Sequence, residues 1–135
     1  MDHVTAVKRL YGLISDHDID AFGELLAVDF IEHETIPGVA PTREGAKDFF
    51  RMQIAAFPDL AIAIEDIIDG GDQVVARVRL TGTQQGDFMG VPASGTPVSM
   101  QIIDIMRFGD DGLVHEHWGV ADQLGMMAQL GAVPA

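Results

Sequence analysis

The apolar residues of this chain change their period near Pro58, and that single change limits the fold classes open to it. Before it, Val4, Val7, Leu10, Tyr11 and Ile14 recur at helical spacing, followed by the polar break Ser15-Asp16-His17-Asp18. A second short helix is expected after Asp18, its N-cap, with Phe22, Leu25 and Leu26 on one face. Asp29 to Glu34 reads as a short strand, ending at the turn signal Pro37-Gly38. Pro41-Thr42 then opens a third helix: Thr42 caps it, Glu44 complements its positive end, and Phe49, Met52, Ile54 and Phe57 are its apolar residues.

Beyond Pro58 the period is two. Leu60 to Ile68, Val74 to Leu80, Val98 to Phe108 and Val114 to Ala121 read as strands. The last two are joined by Gly109-Asp110-Asp111-Gly112, a hairpin signal. Thr81 to Gly95 reads as a strand end and a long loop, and Leu124 to Leu130 as a closing amphipathic turn. Three helices followed by consecutive strands define an α+β domain, a curled antiparallel sheet against helices, expected to occupy residues 1–135 as one unit.

Charge narrows the partners. With 21 acidic and 8 basic side chains among 135 residues the formal net charge is −13, which repels phosphate backbones and anionic membranes. Nucleic acid and membrane are therefore not expected as partners. There is no cysteine, so disulfides, thiolate-held metals and a thiol nucleophile are excluded. Met1-Asp2-His3-Val4 lacks the pattern of a secretory signal or transit peptide, and a cytoplasmic location is the expectation.

Ionisable groups on apolar strands mark the candidate site. Asp104 stands in Met100-Gln101-Ile102-Ile103-Asp104-Ile105-Met106, on the same face as Met100, Ile102 and Met106. Buried, it would be a protonated donor to an oxyanion or a partner that orients a histidine; on an outer face it would be solvated or paired with an arginine. In His115-Glu116-His117-Trp118-Gly119, strict alternation puts His115, His117 and Gly119 on one face. Two histidines so spaced can chelate a metal with His33 or Asp104, but acid–base work at neutral pH is the preferred reading, and no metal is expected. His33 shares a face with Ile31, opposite Glu32 and Glu34, so an inward Ile31 would bury His33. Tyr11 lies on the apolar side of the first helix, where its hydroxyl can serve the same cavity or simply pack. Methionines such as Met100 and Met106 suit an adaptable apolar pocket. No phosphate-binding loop follows Gly82, Gly86, Gly90 or Gly95, and no Gly-x-Ser-x-Gly element supports serine hydrolysis.

Phe57-Pro58-Asp59-Leu60, Gly71-Asp72-Gln73-Val74-Val75-Ala76-Arg77, Gly82-Thr83, Met106-Arg107-Phe108 with Asp111-Gly112, Trp118, Asp122 and Gln129-Leu130-Gly131 occur in an order that resembles the SnoaL-like polyketide cyclase, or ester cyclase, family. The likeness runs through nearly the whole chain. It implies a cone-shaped α+β barrel of the nuclear-transport-factor-2-like kind, usually a homodimer, with an apolar pocket. Within the wider superfamily, Asp104 is similar in position to the oxyanion-hole aspartate of ketosteroid isomerases, His33 to their general base, and His117 and Gly119 would face inward. Departures accompany the resemblance. Gly119 stands where polyketide cyclases carry an acid–base aspartate, Gln84 where many relatives have a histidine, Ala93-Ser94-Gly95 where they have Pro-Thr-Gly, and Leu10, not Tyr11, aligns with the isomerases' oxyanion tyrosine.

Together these features lead to the expectation of a cofactor-independent acid–base enzyme (isomerase, cyclase or dehydratase) acting on a small apolar carbonyl or polyketide-like compound. His33, Asp104 and His117 would be catalytic, and Tyr11, Phe50, Met100, Ile102, Met106 and Gly119 would bind substrate. Epoxide hydrolysis on the same fold is one alternative; a non-catalytic ligand-binding protein, favoured by Gly119, is another.

Overall fold

Each helix begins where a short polar side chain can take up a backbone N–H left free at a helix start. In the computed structural model, which describes residues 1–134, α1 spans His3–Ser15 and α2 Ile19–Glu24, and α3 runs from Arg43 to Ala56. Asp2 accepts from the Thr5 N–H at 2.7 Å, Asp18 from Ala21 at 3.2 Å and Thr42 from Gly45 at 3.1 Å. Where a closing turn was expected there is a fourth helix, α4 (Gln123–Gln129), capped by Asp122 through the Gly125 N–H at 3.0 Å.

The strands are β1 (Leu26–Glu32), β2 (Ala61–Asp69), β3 (Gln73–Thr83), β4 (Pro97–Phe108) and β5 (Val114–Ala121), in the order β1-β5-β4-β3-β2. β1 starts at Leu26, ahead of the expected Asp29. Pairing is antiparallel from β2 through β5, but β1 lies parallel to β5. The expected α+β fold, helices packed on a curved antiparallel sheet, is present, with two refinements: the β1–β5 ladder is parallel, and β1 and β2 remain as edges, so the sheet is not closed. The α3 crossover supplies the long connection that frees β1 from the direction a hairpin would impose. Register shifts in β1, in β2 between Ile64 and Asp66, and at Arg107/Phe108 on β4 are the irregularities that bend a sheet of this kind.

One face of that sheet is the core. Val74, Ala76, Val78 and Leu80 of β3 and Met100, Asp104 and Met106 of β4 are buried with Val7, Leu10, Tyr11 and Ile14 of α1. Each large aliphatic side chain buried there contributes roughly 1.5–3 kcal/mol, so the row as a whole fixes the inner face even with a carboxylate in it. Arg77 and Arg79 point the other way and pair with Glu65 at 3.6 and 3.4 Å. The loop after β3 is held from within by Gln84, fully buried, whose Nε2 donates to Val91 O at 2.9 Å while its Oε1 accepts from Ser94 Oγ at 2.7 Å. Among the described residues no helix is long and apolar enough to cross a membrane.

Candidate active site

Asp104 sits mid-strand on β4 between two residues with almost no side chain, Ala76 on β3 and Gly119 on β5. These neighbours leave room above its carboxylate, which is 6% exposed. Both oxygens are engaged. Tyr11, from α1, donates its hydroxyl to Oδ2 at 2.5 Å, and His117 Nε2 lies 2.7 Å from Oδ1. The other imidazole nitrogen, Nδ1, lies 2.5 Å from Glu32 Oε2. Glu32 reaches it because the parallel ladder sets Glu32 directly opposite His117. The result is one hydrogen-bonded chain, Tyr11–Asp104–His117–Glu32, drawn from α1, β4, β5 and β1.

The electrostatics follow from this arrangement. Burial disfavours a charged imidazole at His117, but the hydrogen bonds and charges of Asp104 and Glu32 outweigh it and push its pKa up to about 10. At neutral pH the ring is an imidazolium donating both N–H groups. Burial first, and then the neighbouring Asp104 charge and hydrogen bond, raise the Tyr11 phenol far above its usual range, so its hydroxyl keeps its proton and donates. Tyr11 and His117 thus each place a donor on a different oxygen of Asp104, the arrangement in which a carboxylate orients a histidine.

The chain lies against an apolar cavity. Leu10, Ile14, Phe22, Leu26, Phe30, Phe49, Phe50, Val78, Leu80, Met100, Ile102 and Met106 line it, with Tyr11, Asp104, His117, Glu32 and Glu34 as the ionisable part of the wall. The expected substrate-binding residues Tyr11, Phe50, Met100, Ile102 and Met106 are thus all present at this wall, and Gly119 lies beside Asp104 and His117.

His33 is not. Its ring stacks on Trp118, centroids 4.6 Å apart and planes within 6°, and its Nε2 meets Glu116 Oε2 at 2.7 Å. Arg107 Nε donates to the other oxygen of Glu116 at 2.6 Å, completing a cluster on the outer face. The alternation of this segment is as expected, but its phase is reversed: Phe30 is buried, Ile31 is 48% exposed, and Glu32 turns inward. Phe30, the larger apolar group, takes the core position, and Ile31 carries His33 out with it.

His115 is also separated from His117. A register shift leaves Met106 opposite His117, Arg107 opposite Glu116, but Phe108 opposite Val114, so His115 is the extra residue of a bulge. Its Nε2 meets Asp111 at 2.9 Å and its Nδ1 faces Asp29 at 3.6 Å. His33, His115 and His117 therefore do not converge, and among the described residues no cluster of three or more His, Asp or Glu has the arrangement of a metal site.

Sequence reasoning missed Glu32, Glu34 and two glutamines of the cavity wall. Gln53 is buried, and the side-chain oxygens of Gln53 and Gln123 have no hydrogen-bond partner among the described residues. The signal for the carboxylates was present in Phe30-Ile31-Glu32-His33-Glu34, where Glu32 and Glu34 share the face of Phe30.

An open, curved sheet folded over an apolar cavity, with helices packed on it and a buried carboxylate–imidazole–carboxylate chain in the cavity wall, defines an α+β protein of the cone-fold class. The chain belongs to the SnoaL-like polyketide cyclase family, whose family model matches residues 4–130. Among solved structures it is similar to TsrD from Streptomyces laurentii, with 31% identity, TM-score 0.85 and coverage of 96% of this chain and 97% of that one. It is also similar to wild-type IdmH, a candidate polyketide cyclase from Streptomyces antibioticus, with 32% identity, TM-score 0.84 and coverage of 97% and 99%. AclR, a candidate hydroxylase from Streptomyces galilaeus, shares 25% identity at TM-score 0.87, over 98% of this chain and 83% of that one. No curated protein matches the chain.

Proposed function

We propose that this protein moves a proton on a small apolar carbonyl compound of polyketide-like character, without a cofactor, as an isomerase, cyclase or dehydratase does. The observation that carries the reading is the Tyr11–Asp104–His117–Glu32 chain in the wall of an otherwise apolar cavity. His117 supplies the positive charge: both its N–H groups are held by Asp104 and Glu32, and its cation in a low-dielectric wall stabilises negative charge that develops on a carbonyl oxygen nearby. Asp104 and Glu32 fix its ring and its charge, and Tyr11 fixes Asp104. Family membership supports cyclase or isomerase chemistry, and the likeness to a candidate hydroxylase leaves the fold as the weaker guide to reaction type. Epoxide hydrolysis receives less support, because the Asp104 carboxylate that would activate water already accepts two hydrogen bonds.

The test is deuterium exchange at the α-carbon of simple aryl ketones, 1-tetralone and acetophenone, incubated with the protein in heavy water and read by mass spectrometry. Wild type should exchange faster than buffer. His117→Asn and Asp104→Asn should each lose about a hundredfold or more, the usual scale of general acid–base catalysis, while retaining folded circular dichroism spectra. His33→Asn, on the outer face, should exchange at the wild-type rate. Wild-type exchange no faster than buffer, undiminished exchange in the His117 and Asp104 variants, or loss of fold in both overturns the reading.

A further inference from the structure

Glu34 is the one ionisable group of the cavity wall that the hydrogen-bonded chain does not use. It follows β1 by two residues, its backbone N–H tied to Glu32 Oε2 at 3.2 Å. Its carboxylate has no donor among the described residues, although it lies among Asp104 on β4, His117 on β5 and Glu32 on β1, the charged groups that face it. The α3 residues of the same wall, Ala46, Phe49, Phe50 and Gln53, bring no charge.

Its position depends on Gly119. A methyl group built on Gly119 would lie 2.9 Å from Glu34 Oε2, 2.8 Å from Asp104 Oδ1 and 2.7 Å from His117 Cε1. The glycine therefore leaves a space that three side-chain ends share. Asp104 and His117 are held in it by their hydrogen bonds; Glu34 merely occupies it. A free carboxylate in a partly apolar wall, close to an imidazolium but not bonded to it, has what a base needs: little solvation to lose and no partner to give up.

We propose that Glu34 is the base of this site, a catalytic carboxylate delivered from the segment after β1 into the space left by Gly119. The inference rests on the acid–base reading above and adds to it the group that accepts the proton. In a carbonyl substrate, Glu34 takes the α-proton, the C–H electron pair becomes the enolate, and Glu34, now a carboxylic acid, returns that proton, or one exchanged with solvent, to the same or another carbon of the enolate. Burial, opposed by the His117 charge and reinforced by those of Asp104 and Glu32, raises the Glu34 pKa, so the base form is reached at higher pH than for an ordinary glutamate.

The test uses 5-nitrobenzisoxazole, whose ring opening needs only a base. Removal of the C3 proton sends the C–H pair into a nitrile, breaks the N–O bond and releases a coloured cyanonitrophenolate. Wild-type protein should open it with saturation and faster than equimolar acetate, with kcat/KM rising through a midpoint above the usual glutamate range. Glu34→Gln should lower kcat/KM by about a hundredfold. Gly119→Ala, by displacing the carboxylate, should lower it about tenfold, and the double variant should be no slower than Glu34→Gln alone. A wild-type rate equal to acetate, a Glu34→Gln rate within about threefold of wild type, or fully additive losses in the double variant overturn the assignment. The two readings fail separately. Ring opening that ignores Glu34→Gln removes Glu34 even where ketone exchange is intact; ring opening that depends on Glu34 without ketone exchange removes the carbonyl reading alone.

Discussion

At the scale of single residues, the cavity holds its charges by hydrogen bonds from other charges. His117 shows the consequence for pH. Its pKa rises from 6.5 to about 10 on folding, so its contribution to stability is complete below the unfolded value and is lost as pH rises through the folded one. The melting temperature should therefore fall between about pH 6.5 and pH 10, and thermal denaturation across that range should show the slope disappear in His117→Asn. A wild-type profile flat over the window would contradict the assigned charge state. Below about pH 6.5 the variant should also melt lower, because Asp104 and Glu32 are left buried without their cation, a loss of about 3–5 kcal/mol for buried pairs that shrinks as pH rises toward 10. Glu34 acts in the same direction at lower pH: its raised pKa means that ionising it costs stability, and that cost appears as pH rises through the carboxylate range.

At the scale of elements, the starts of helices were legible because capping is local. Asp18 and Thr42 cap α2 and α3 within three residues of themselves, as read from the sequence, and Asp2 and Asp122 do the same for α1 and α4 without having been read as caps. The α3 start adds a constraint that can be tested. A Cβ on Gly45 would overlap the backbone carbonyl oxygen of Ala40, and backbone cannot swing aside as a side-chain end can. Gly45→Ala should cost about 3 kcal/mol, the upper part of the over-packing range, measurable by denaturant melts; a neutral substitution would show that the loop before α3 yields freely. Strands were legible by period but not by phase. Alternation in Phe30 to Glu34 was plain, yet which side faces inward was decided by the packing of β1 on α3, with Phe30 in the core, and by pairing with β5, some 85 residues away. The bulge at His115 could not be read either, since it exists only relative to β4. Asp104 was legible as a lone carboxylate in an apolar strand; Glu32 and Glu34 were hidden among 21 acidic residues.

At the scale of the whole molecule, the outer face of the sheet is not uniformly polar. Ile68, Val75, Ile105 and Trp118 stand at successive register positions across β2, β3, β4 and β5, and beside them the cross-strand pair Ile103 and Val120 is 49% and 76% exposed. Such a row supports the expected pairing with a second copy of the chain. Light scattering should give the mass of a dimer for wild type and of a monomer for Ile103→Glu; a wild-type monomer would remove the proposal. The parallel β1–β5 ladder carries a different consequence, for the order in which the molecule becomes itself. Tyr11, Glu32 and Glu34 are made before Asp104 and His117, and β1 has no neighbouring strand until β5 exists. Long-range pairings of this kind close slowly, because loop entropy is paid before any contact rewards it. Glu32 comes to lie opposite His117 only through that pairing. The candidate site is thus also the seam along which the earlier and later segments of the chain meet.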